Sequence, residues 1–323
     1  MTYTIDVHLS PDEVRRRMRA DAITGLQSDT KSIPPVWFYD ERGSQLFEEI
    51  TRLPEYYPTR AERHLLESFA PTIAELSKAD TLVELGAGAC EKTRVLLDAL
   101  QQFGTLARYT PFDVSDEFLR DAASTLSDEY DPLSVHLVIG DFSEHLGQIP
   151  TDGRRMVAFL GGTIGNFDPA RRARFLFDLN CTMSSDDSLL LGADLVKDPE
   201  RLVAAYDDAA GVTAQFNKNV LRVLNKQLGG NFDLDQFAHV ALWNEEEQWI
   251  EMRLRALRAT EVTLNDAGIT VNFDEGEDIL TEISAKFTPA RIREELASAG
   301  FVVDGMWGGD EGEFLLTLAH PFC

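Results

Sequence analysis

Between residues 80 and 195, short apolar runs alternate with segments of helical spacing. TLVELG (81–86), RYTPFDV (108–114), SVHLVIG (134–140), RMVAFLGG (155–162) and SLLLGAD (188–194) are apolar almost throughout, as strands covered on both faces are. The stretches between them predict helices. EKTRVLLDALQQ (91–102) has helical spacing at Val95, Leu96, Leu97 and Leu100, and DEFLRDAASTLSDEY (116–130) follows the second strand. DPARRARFLFDLNCTM (168–183) opens with Asp168 at the N-cap position and Pro169 in the first turn. Strands and helices in this alternation predict an α/β fold with a doubly wound, mostly parallel sheet.

The rhythm changes after residue 197. Residues 198–230 have helical spacing and stop at Gly229-Gly230. QWIEMRLRAL (248–257) then alternates strictly at Ile250, Met252 and Leu254, as a half-buried strand does, and ITVNFDEG (269–276) alternates as well. TPARIREELASAG (288–300) predicts a helix capped by Thr288, started by Pro289 and stopped at Gly300, with strands to follow at 301–307 and 313–320. Two domains are expected. Residues 61–196 with 287–323 form the sheet domain, and 1–60 with 197–286 form a discontinuous α+β second domain.

Composition narrows the partners. Hydrophobic residues at 44% and charged residues at 26% are ordinary globular usage. With 55 acidic against 30 basic residues, the formal net charge of −25 repels phosphate backbones and anionic membranes, so neither nucleic acid nor membrane is an expected partner. No run approaches the roughly 18 apolar residues that a membrane span requires. Cys90, Cys181 and Cys323 form neither a disulfide framework nor a metal-binding pair, the histidines have no ligand spacing, and the N-terminus has no signal-peptide pattern. A monomeric cytoplasmic protein without a metal is expected.

The first strand runs into VELGAGACEKT (83–93), where Gly86 and Gly88 permit a tight turn and close approach of a ligand to the backbone. A dinucleotide loop wants glycine where Glu91 stands, and a Walker A loop is matched at Lys92 and Thr93 but not at Glu91. Glu84-Leu85-Gly86-Ala87-Gly88 instead fits the acidic, doubly glycine loop of S-adenosylmethionine proteins, whose ligand needs no phosphate cradle. A bare strand–helix turn would also contain such glycines. Two further acidic loop ends favour a cofactor: Asp113 after the second strand, placed to grip a ribose diol, and Asp141-Phe142 after the third, placed for an adenine. Open α/β sheets bind their ligands at this edge.

Several stretches closely resemble the histidine Nα-methyltransferase family of ergothioneine biosynthesis. They are WFYDERGSQLFEEITRLPEYYPTRAE (37–62), VELGAGACEKTRVLLDAL, FLGGTIGNF, LLLGADLVKD, GVTAQFNKNVLRVLN and LTEISAKF. The resemblance runs from about residue 30 to the C-terminus. It implies a Rossmann-like cofactor domain with a discontinuous substrate domain. It further implies three successive methyl transfers from S-adenosylmethionine to the α-amino nitrogen of L-histidine, giving hercynine. By position, cofactor contacts fall on Gly86, Lys92, Asp113, Asp141 and Phe142, beside Glu84 and Gly88 of the glycine loop. The histidine site falls on Tyr39, Tyr56, Gly161, Asn166, Tyr206, Met252, Glu282 and Ser284. Ala87, Ala89-Cys90, Gly162 and Ala285 depart from the family pattern without touching these positions.

The residue types suit that chemistry. Asn166 is a neutral acceptor that can orient an amine without stabilising its ammonium form, and the Tyr39 ring can face the growing positive charge of the product. In TEISAKF (281–287), Glu282 and Ser284 share one face of an extended strand, about 7 Å apart, a spacing for the two nitrogens of an imidazole. Without the resemblance that pair reads as a solvated strand face, Met252 as core, and Tyr56-Tyr57-Pro58 as a packed turn. The rival readings are methylation of another amino acid or small amine, and a cofactor-binding protein without catalysis.

Overall fold

The computed structural model describes residues 3–88, 92–114, 119–120, 125–126, 129–130, 132–309 and 312–322. Ala89, Cys90, Cys323 and most of the expected helix 116–130 lie outside the described residues. In chain order the strands are β1 (Thr4–Val7), β2 (Thr81–Leu85), β3 (Arg108–Asp113), β4 (Ser134–Ile139), β5 (Arg155–Phe159), β6 (Ser188–Asp194), β7 (Phe237–Asn244), β8 (Trp249–Ala256), β9 (Thr260–Leu264), β10 (Ile269–Phe273), β11 (Asp278–Ala285), β12 (Phe301–Gly308) and β13 (Phe314–Pro321). They divide between two compact units. The first comprises Met1–Leu9, Pro58–Val196 and Lys286–Cys323, and the second Ser10–Tyr57 and Lys197–Ala285.

The first unit is an eight-stranded sheet in the order β1-β4-β3-β2-β5-β6-β13-β12. Pairing is parallel from β1 through β6 and antiparallel at β13 and β12. Every residue of β2, β5 and β6 is buried, which is why their sequences are mostly apolar and show no alternation. Helices cover them. In Pro169–Thr182 the Asp168 carboxylate accepts from the N–H groups of Ala170 and Arg171, and in Pro289–Ser298 the Thr288 hydroxyl accepts from Arg291. These caps satisfy donors that a helix start leaves without intrahelical partners.

One boundary moves. Residues 1–9 belong to the sheet unit, not to the second domain as expected, because β1 adds a parallel edge strand to β4, from Thr4 opposite His136 to Val7 opposite Ile139. The four-residue run is too short and too mixed to announce itself in the sequence.

The second unit holds an antiparallel sheet ordered β11-β8-β7 and a separate hairpin of β9 and β10. The expected helix 198–230 is two helices, Pro199–Ala204 and Val212–Leu228. Gly211, at a left-handed φ of 71°, turns the chain between them, and Asp208 serves the new start by accepting from the N–H groups of Val212 and Thr213. A bulge interrupts β11: Leu280 lies opposite Arg253 and Glu282 opposite Met252, so Thr281 is the extra residue. The strand ends at Ala285, and Lys286 belongs to the first unit, paired with Asp194 at 2.9 Å. Among the described residues no helix is long and apolar enough to cross a membrane.

Candidate active site

In the first unit, the glycine loop leaves the carboxyl end of β2 with Gly86 at φ 73° and Gly88 at φ 51°, left-handed conformations that side chains resist. The Gly88 N–H donates to the Asp113 carboxylate at 3.0 Å, tying the loop to the end of β3. Among the described residues, a Cβ added at Gly88 would meet nothing within 4 Å, and one at Gly86 only the Phe142 ring at 3.7 Å. That open backbone with an acidic neighbour suits a ligand rich in hydroxyl and amino donors. At the end of β4, Asp141 caps a short helix by accepting from the Ser143 N–H, and the Phe142 ring stands edge-on to Phe159, Phe167 and Phe175.

Glu84 sits beneath the loop with its carboxylate directed inward, accepting from the Thr93 hydroxyl and, at 2.7 Å, from the Tyr109 hydroxyl. Burial pushes its pKa up to about 7 despite both donors. Lys92 is ion-paired with Glu62, a carboxylate with no solvent exposure on helix Pro58–Ser77. The other Glu62 oxygen accepts from the Gly161 N–H at 2.7 Å. Gly192 of β6 makes room for this carboxylate, since a Cβ there would lie 2.2 Å from Glu62 Oε1. The structure thus joins Lys92 and Gly161 through Glu62, a residue the sequence does not single out. Gly161 and Gly162 follow β5 in left-handed conformations, and Asn166, half-buried, ends the single turn Thr163–Asn166.

In the second unit, six of the expected substrate residues come together. Tyr39, following the turn Pro35–Phe38, contacts the rings of Phe47 and Phe216 at 5.8 and 5.5 Å between centroids. Tyr56 contacts Phe47 and Tyr206 at 6.2 and 6.1 Å, and the Tyr206 hydroxyl is hydrogen-bonded to the Ser284 hydroxyl at 2.7 Å. Glu282 opposite Met252 and Ser284 opposite Ile250 place these four on one face of the sheet, all buried. Behind them, His239 Nε2 donates to the Tyr206 carbonyl at 2.8 Å. Burial holds the His239 ring below its usual pKa, partly opposed by that carbonyl, so the ring is neutral. Phe47, Phe216 and His239 escape sequence reasoning, because aromatic residues at helical or strand spacing are indistinguishable from core. Among the described residues, no group of three or more His, Cys, Asp or Glu side chains could hold a metal ion.

A family described as "Histidine-specific methyltransferase, SAM-dependent" matches this sequence over residues 18–321. The chain belongs to this family. S-adenosylmethionine dependence comes with that membership, and the glycine loop with Asp113 and Asp141 fits it. Among relatives of this methyltransferase, the histidine N-alpha-methyltransferase of Mycobacterium tuberculosis is 51% identical over 319 residues, 99% of each chain. Ergothioneine biosynthesis protein 1 of Schizosaccharomyces pombe is 30% identical over 90% of this chain and 39% of its own length. The L-tryptophan methyltransferase of Psilocybe serbica is 28% identical over 93% of this chain and 91% of its own.

Proposed function

We propose that the chain methylates the α-amino nitrogen of L-histidine three times in succession, giving hercynine for ergothioneine biosynthesis. The observation that carries this reading is the 51% identity, over 99% of both chains, to the mycobacterial histidine N-alpha-methyltransferase. S-adenosylmethionine supplies the electrophilic methyl group. In this reading Gly86 and Gly88 admit it to the backbone, Asp113 accepts from its ribose, Asp141 and Phe142 receive its adenine, and Lys92 completes the contacts. Glu84, directed inward, supports the loop from beneath.

The substrate residues take separate tasks. An α-ammonium has no lone pair, so the amine must lose a proton before it can attack. Asn166 orients that amine as a neutral acceptor, without holding the proton on as a carboxylate would. Tyr39 contributes a hydroxyl to the amine and a ring face to the positive charge that accumulates with each methyl. Glu282 and Ser284 divide the two imidazole nitrogens between a carboxylate and a hydroxyl. A ligand that leaves these buried groups unpaired is rejected, since each unmet group costs about 1–3 kcal/mol. Met252, opposite Glu282, is the apolar wall, with Tyr56, Tyr206 and Gly161 completing the set. The reading is of a monomer, and the scattered cysteines suit the reducing cytosol.

The test is mass spectrometry of purified protein incubated with S-adenosylmethionine and a panel of amino acids that includes histidine and tryptophan. A histidine product heavier by three methylene units is expected. Methylation of tryptophan but not histidine would overturn the substrate assignment, and no methylated product at all would overturn the reading.

A further inference from the structure

Helix Val212–Leu228 is apolar where it packs, with Phe216, Val220, Leu221 and Leu224 buried, yet it also buries Asn217 and Asn219 with no solvent exposure. Asparagine is a mediocre helix former, and a buried amide without partners is costly, so packing alone would select aliphatic residues here. Both amides are instead engaged. Asn219 Nδ2 donates to the Phe38 carbonyl at 3.1 Å and to the Asp40 carboxylate at 2.7 Å, gripping the chain on either side of Tyr39. That Asp40 oxygen also accepts from the Gly43 N–H, anchoring the helix Glu41–Thr51 that carries Phe47. The Asn219 carbonyl accepts from Arg222.

Two residues along a helix are about 200° apart, so Asn217 points the other way. Its Nδ2 donates to the Arg253 carbonyl at 3.0 Å and to His239 Nδ1 at 2.8 Å. The far side of that ring donates to the Tyr206 carbonyl. The Asn217 carbonyl accepts from the Thr281 hydroxyl, which also reaches the Met252 carbonyl. One amide thus fixes the backbone at Tyr206, at Met252 and at the bulge preceding Glu282.

We infer that Asn217 and Asn219 are positioning residues for the histidine site. Asn219 sets Tyr39, and Asn217 sets Tyr206 and the β8–β11 pair. This rests on the reading of those residues as the substrate site. Neither amide touches a cofactor residue, so their loss acts on histidine alone.

The test uses N217D and N219D, nearly isosteric changes that put a carboxylate where an amide donated, in full-length protein labelled with 3-fluorotyrosine. For each, kcat/KM for histidine is expected to fall on the order of ten- to a hundredfold, with the S-adenosylmethionine Kd by calorimetry unchanged. In ¹⁹F spectra N219D shifts the Tyr39 resonance and N217D the Tyr206 resonance, each assigned with Y39F or Y206F. Unchanged turnover, or equal losses for histidine and cofactor, would overturn the positioning role. Unchanged turnover in Y39F and Y206F would instead overturn the site reading beneath it. Should an aspartate variant fail to fold, N217S or N219S, each with a shorter single donor, takes its place, and the same results support or overturn the role.

Discussion

Glu84 is a carboxylate sealed under the glycine loop, and its protonation leaves a signature in stability. Burial raises its pKa from an ordinary 4.5 to about 7, so between those values the folded protein holds a proton that the unfolded chain has released. Stability attributable to this group is therefore full below pH 4.5 and declines as pH rises through 7. E84Q keeps an acceptor for Thr93 and Tyr109 without the charge. Urea denaturation at pH 5 and pH 8 should show the variant gaining on wild type at the higher pH, and a constant difference would refute the assignment. Glu62 makes a different prediction. E62Q still accepts from Gly161 but leaves Lys92 without its counter-charge, and a loss of about 1–2 kcal/mol is expected, modest because Lys92 is 23% exposed. An unchanged urea midpoint would show the pair to be inert. Residues at loop ends, such as Gly86, Asp113 and Asp141, are legible because strand, turn and helix signals bracket them. Glu62 is one acidic residue among several on a helix, and only the fold brings Lys92 and Gly161 to it.

At the scale of elements, the sheet unit is transparent where strands are buried on both faces, since apolar runs leave no competing period. The second unit is harder. β7 reads FAHVALWN, with only Phe237 fully buried, so no alternation marks it, and β9 is five residues long. The helix expected over 198–230 breaks because Asp208 and Gly211 form a start signal inside an otherwise continuous helical pattern. Burial would raise the Asp208 carboxyl, but the N–H groups of Thr213 and Val212 that it accepts from outweigh it and hold it below its usual 3.8. Its contribution is thus present above pH 3.8 and lost as pH falls below it. D208A should cost about 1–2 kcal/mol at pH 7, with the gap to wild type narrowing in acid. A gap independent of pH would mean that packing, not the carboxylate, sustains this helix start.

For the molecule as a whole, a net charge of −25 is a standing self-repulsion that a few internal pairs cannot offset. Screening should relieve it. Raising sodium chloride from about 10 to 150 mM, which shortens the Debye length from about 30 to 8 Å, is expected to raise the thermal midpoint by several degrees. A falling midpoint would show that attractive pairs outweigh the surplus. The charge excludes partners without naming one, whereas the discontinuous division of the chain is visible in the change of rhythm near residue 197. The strand order is not visible at all. Nothing local in β1 says that it pairs with β4, because that choice depends on which sheet edge the rest of the fold leaves open.

The bulge in β11 makes the strand one residue longer than its neighbour requires, and Thr281 is the spare. Leu280 and Glu282, two positions apart, lie opposite adjacent residues of β8 and so point to opposite sides. Removing Thr281 would leave a regular ladder with Glu282 still facing Met252. A bulge-free slip that paired Thr281 with Met252 would instead turn both Glu282 and Ser284 away. The buried face that Glu282 and Ser284 share therefore depends on the register of the strand rather than on its length, although loss of Thr281 would also remove its hydroxyl from Asn217 and the Met252 carbonyl. When chains of unequal length are aligned across this segment, the gap belongs at Thr281.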